Sequence, residues 1–90
     1  MEQKFLIQLE ANRQKAASLG VRIRPVEDVK QVKRLLSGSR TSDGFTDLMA
    51  KGQLKLSLEA LVVDKRFTAL FTDEEANTAL LRLLDAGYGF

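Results

Sequence analysis

Residues 72–87 read Thr-Asp-Glu-Glu-Ala-Asn-Thr-Ala-Leu-Leu-Arg-Leu-Leu-Asp-Ala-Gly, and this stretch decides the fold class. Thr72 suits the N-cap of a helix. Glu75, three residues on, completes a capping box in which each side chain satisfies the other residue's backbone N–H. Asp73 and Glu74 place negative charge at the positive end of the helix dipole. Ala76, Ala79, Leu80, Leu83 and Leu84 recur at helical spacing and predict one apolar face. Gly87 stands where a left-handed residue ends a helix, and Tyr88 is placed to fold back on Leu83 in a Schellman ending. Leu81 widens the apolar arc, so this helix is either central or part of an interface.

Working outward, residues 2–19 also predict a helix, with Phe5, Leu6, Leu9, Ala16 and Leu19 near one stripe and Gly20 as terminator. Written as a heptad, the stripe places Asn12 in the seam, and so short a run favours packing on its own domain over a coiled coil. Val21–Arg24 alternates apolar and basic residues and predicts extended chain. Pro25 disfavours the α region for Arg24 and suits the first position of a second helix. That helix would bury Val29, Val32, Leu35 and Leu36, with Glu27 and Asp28 near its start and Gly38 at its end.

Ser37 to Gly44 (SGSRTSDG) has no apolar residue and reads as a mobile loop, 37–44, within a single domain spanning 1–90. Phe45–Lys51 predicts a short helix capped by Ser42 or Asp43. Gln53–Leu58 alternates strictly, which predicts an extended lead-in to a helix over 58–63 capped by Ser57. Residues 21–24 and 53–56 could then pair as a minimal two-stranded β patch. The expected fold is all-α, or nearly so, with four to five short helices.

Composition narrows the chemistry. The 90 residues include no His and no Cys, which removes triad, thiolate and disulfide chemistry from this chain alone. No phosphate-binding glycine loop and no calcium-loop spacing occurs. The carboxylates at 73–75 are explained by capping. The expectation is therefore a non-enzymatic protein with no cofactor, no metal and no small-molecule substrate. No stretch approaches the roughly 20 apolar residues of a spanning helix, so no membrane role and a cytoplasmic location are expected.

Charge is unevenly spread. Residues 13–40 carry eight basic side chains against two acidic ones, a net +6 in a chain of net +2. Such a field attracts anionic partners. Lys30, Lys33 and Arg34, at i, i+3 and i+4, are expected on one helix face, with Arg22 and Arg24 beside them, as a phosphate-binding surface. Helix–turn–helix spacing across Phe45–Val63 is a weaker signal, because Glu59 and Asp64 suit a recognition helix poorly.

The C-terminal half is rich in large apolar residues. Leu54, Leu56, Leu58, Leu61, Val62, Val63, Phe67, Leu70 and Phe71 crowd together, and the tail adds Tyr88 and Phe90. A domain of this size struggles to cover so much apolar surface. The leading expectation is an interaction module that binds a protein partner or a second copy through Leu54, Leu56, Phe67, Phe71 and Tyr88. The alternative is a nucleic-acid-binding accessory protein using Arg22, Arg24, Lys30, Lys33 and Arg34.

Overall fold

The computed structural model describes residues 1–88, so Phe90 lies outside the described residues. Among them are five α-helices, two single 3₁₀ turns and no strand. The helices are α1 (Glu2–Ser18), α2 (Val29–Ser37), α3 (Phe45–Ala50), α4 (Leu58–Val62) and α5 (Asp73–Asp85). The 3₁₀ turns span Leu54–Leu56 and Thr68–Leu70. The fold is all-α.

The ends of α5 form as the sequence predicts. The Glu75 N–H donates to Thr72 Oγ1 at 3.1 Å and the Thr72 N–H donates to Glu75 Oε1 at 2.8 Å. At the other end, the Tyr88 N–H donates to the Leu83 carbonyl at 2.9 Å and the Gly87 N–H to that of Leu84 at 3.0 Å. This is the Schellman pattern, and α1 and α3 close the same way through Gly20 and Gly52.

Other boundaries differ from the sequence expectation. Helix α2 starts at Val29 rather than at Pro25, because Asp28 is the cap and accepts from the Gln31 N–H at 2.8 Å. A start at Pro25 would leave Arg24 in the cap position, where it has no acceptor to offer the free N–H groups. Helix α3 is preceded by Gly44, not capped by Ser42 or Asp43. Gly44 has φ +73°, and a Cβ there would lie 2.7 Å from Val21 Cγ1 and 2.9 Å from Ile23 Cγ1. Only glycine fits both the backbone and the space.

The two-stranded patch does not form. Residues 54–56 close a 3₁₀ turn through Leu56 N–H to Gln53 carbonyl (3.0 Å) and Ser57 N–H to Leu54 carbonyl (2.9 Å). The Arg24 N–H, free for pairing in the expected patch, donates instead to the Asp43 carboxylate at 3.3 Å. Local acceptors thus take the donors that a strand pair would need. Ser57 caps α4 as expected, accepting from the Ala60 N–H at 3.1 Å.

Two apolar clusters fill the interior. One gathers around Phe5, which is fully buried and meets Phe67 and Phe71 edge-on, each with ring centroids 5.3 Å away. The other joins Ala16 and Val21 to Phe45, Leu48, Leu54, Leu56 and Leu83. Val63 packs against both. Asn12, in the position that would have been a coiled-coil seam, is buried and accepts from Gln8 Nε2 at 2.9 Å. Among the described residues no helix is long and apolar enough to cross a membrane.

Candidate interaction surface

The five predicted cations do not form one uniform surface. Lys33 turns from the other two α2 cations, because at 100° per residue it lies only about 40° from buried Val29. Its ammonium donates to Glu75 Oε1 at 2.8 Å and sits 5.4 Å from the Phe71 ring centroid. It is a half-buried strut between α2 and the start of α5. Arg24 is exposed but paired with Asp43 at 3.3 Å. Arg22, Lys30 and Arg34 are exposed and have no ion-pair partner among the described residues. Arg22 and Arg24 share a shallow concavity with Arg13. The helix–turn–helix arrangement fails outright: Leu58, Glu59, Leu61 and Val62 of α4 are buried, so no face of it can enter a groove.

The predicted partner anchors lie inside the protein. Leu54, Leu56, Phe67 and Phe71 are each less than one-tenth exposed, and Tyr88 is half-buried against the second cluster. The residue that covers the two phenylalanines is Phe5, from the far end of the chain. These side chains are core, and the interface expectation cannot rest on them.

A buried polar network, which the sequence reading missed, fixes the segment leading to α3. Glu59 is fully buried, and its carboxylate pairs with Arg82 at 3.2 Å. It also accepts from the Ser42 backbone N–H at 2.9 Å and from the Ser42 hydroxyl. Arg82 Nη2 reaches the end of α2, donating to the carbonyls of Leu35, Leu36 and Gly38, the last at 2.8 Å. Segment 37–44 is therefore tied at Gly38, Ser42 and Asp43. The network joins α4 and α5 to the end of α2 and to Ser42.

Two carboxylates are perturbed. Burial pushes the Glu75 carboxyl up, but hydrogen bonds from Lys33 and the Thr72 backbone outweigh it and hold the group below its ordinary value. Asp64 is held low by side-chain and backbone hydrogen bonds from Arg66. Both sit in ion pairs that explain them. An apolar cleft between α1, the 23–26 segment and Ser42–Asp43 has a volume of about 40 Å³.

What stays uncovered is the outer side of α5. Leu81 and Leu84 are each 51% exposed, three residues apart on one helix. Asn77 and Asp85 lie beside them, Asp73 and Glu74 stand on the same side about two turns or more toward the helix start, and all four are exposed. Leu80 is half-buried at the edge of this face. Among the described residues, the other exposed large apolar side chains are Leu35, Met49, Leu19 at the end of α1, and Met1 and Ile7 at its start beside Lys4 and Arg66. No family model, curated protein or solved structure matches this chain.

Proposed function

We propose that the chain is a non-enzymatic interaction module whose contact surface is the outer face of α5. The observation that carries this reading is the half exposure of Leu81 and Leu84 on a helix whose opposite face is fully committed to the core. Paired large apolar residues on one exposed helix face are a recurrent mark of a contact surface. Leu81 widens the apolar arc of α5 on its exposed side, which supports the interface reading. The test places a photo-crosslinking residue at position 81 in cells and, as control, at exposed Lys30. Discrete adducts from position 81 alone, lost in the Leu84→Gln background, are expected. Equal labelling at both positions, or none at 81, refutes the reading.

The basic stretch supports a second reading, nucleic-acid binding. Arg13, Arg22 and Arg24 line one concavity, and Lys30 and Arg34 are unpaired. Lys33 leaves this set, since Glu75 neutralises it.

A further inference from the structure

We infer that the α5 face receives an amphipathic helix whose apolar residues are flanked by lysine and arginine. This rests on the α5 reading above and specifies its partner. At 100° per residue, Asp73, Glu74, Asn77, Leu81, Leu84 and Asp85 all fall on the side opposite buried Ala79 and Leu83. Leu81 and Leu84 make an i, i+3 ridge about 4.5 Å long, the kind of surface across which a second helix packs.

The charged residues on that side of α5 have one sign. Asp73, Glu74 and Asp85 carry three negative charges, and none has an ion-pair or side-chain hydrogen-bond partner among the described residues. Arg82, the cation of α5, points inward to Glu59 with its side chain only 10% exposed. The face is thus acidic on a chain whose net charge is +2. Asp73 and Glu74 are accounted for by the helix dipole, but Asp85 is not. It stands in the last turn, where a carboxylate meets the negative end of the dipole and weakens the helix. No ion-pair partner compensates it among the described residues. A cation supplied by a partner would.

The same charges argue against a second copy as occupant. Two-fold pairing of the face would bring together two surfaces whose exposed charges on α5 are all acidic and would supply no cation to Asp85, and like charges brought together across an interface disfavour it.

The experiment titrates the full chain against three labelled synthetic helical peptides that share one leucine stripe. Their flanking residues are Lys/Arg, Gln/Ser or Glu. Fluorescence anisotropy should show the Lys/Arg peptide binding best and the Glu peptide worst. Leu81→Gln with Leu84→Gln should abolish binding while circular dichroism stays helical. Asp85→Lys is the diagnostic variant: it should weaken the Lys/Arg peptide by about fivefold, the upper end for an exposed pair, yet raise the melting temperature by relieving the dipole. Equal affinity for the Lys/Arg and Gln/Ser peptides, still lost in the leucine variant, would overturn the basic partner and leave the α5 reading standing. Binding that survives the leucine variant, or no binding by any peptide, would overturn both. Concentration-dependent self-association abolished by the leucine variant would identify a second copy and overturn the basic helix.

Discussion

Replacing Arg82 with methionine removes one cation and keeps most of the side chain's apolar volume. The structure sets the size of the effect. Glu59 is fully buried, and after the change its carboxylate would keep only the Ser42 N–H and hydroxyl as donors. Breaking a buried pair by removing one partner costs about 3–5 kcal/mol, because the surviving charge has lost both water and its counterion. The lost bonds to the carbonyls of Leu35, Leu36 and Gly38 add less, since Leu35 and Gly38 are exposed and water can replace the donor. Glu59→Gln is milder, about 1–3 kcal/mol, because the amide oxygen still accepts while the charge-assisted component is lost. The double variant Glu59→Gln/Arg82→Met should cost clearly less than the sum of the two, since neither leaves the other stranded. Against a total stability of about 5–15 kcal/mol, the single Arg82→Met variant approaches the limit of folding. Urea titration followed by circular dichroism at 222 nm, roughly the helical minimum, measures all three. An Arg82→Met cost under about 1 kcal/mol, or strict additivity, would show that this pair is solvated and does not bind the 37–44 segment to the core.

Gly44→Ala should destabilise by more than about 1 kcal/mol, because φ is +73° and the new methyl would meet Val21 and Ile23 under 3 Å. Gly20→Ala is the control, with the same kind of φ in open space, and equal losses at the two sites would remove the packing part of the argument. Glu75 supplies a pH dependence: its folded carboxyl is held low, so its contribution is present above the ordinary glutamate range and is lost as pH falls through the folded value. Urea midpoints measured on acidification should fall less steeply in Glu75→Gln, and an unchanged slope would show that the Lys33 pair carries no linkage. If the basic stretch binds duplex DNA, log affinity should fall against log salt by about 0.9 per phosphate contacted. Arg22→Glu with Lys30→Glu should abolish that binding without loss of stability, whereas Lys33→Glu should instead destabilise the fold by facing Glu75.

The features legible in the sequence are those whose physics is local. Thr72 with Glu75, Ser57 before α4, and the glycines after α1 and α5 act within a few residues, so spacing alone places them. Gln53–Leu58 misled because alternating leucines suit a strand only if a partner strand exists, and the Arg24 N–H that could have paired is taken by Asp43. Asp28 was in view as first-turn charge, yet it serves as the cap and moves the start of α2 four residues beyond Pro25. Phe67 and Phe71 look like surplus in the sequence because their neighbours alone do not bury them. Their partner is Phe5, more than sixty residues away in sequence.

The surface reading fails and recovers for the same reason. An inventory of apolar residues by segment cannot tell covered from uncovered, so it weighted the crowded 54–71 stretch, where long-range packing removes the surplus. One local signal pointed elsewhere. On α5 an arginine, Arg82, stands beside the arc of Ala79, Leu83 and Ala86 with its side chain only 10% exposed, while a leucine, Leu81, stands on the opposite side. An arginine set among buried positions requires an interior acceptor, here Glu59 and the end of α2. With the inward side fixed in this way, Leu81 must face outward, and Leu84 goes with it. The position of Arg82 thus determines both the buried network and the side of α5 left for a partner, so loss of Arg82 should disturb the proposed surface as well as the core beneath it.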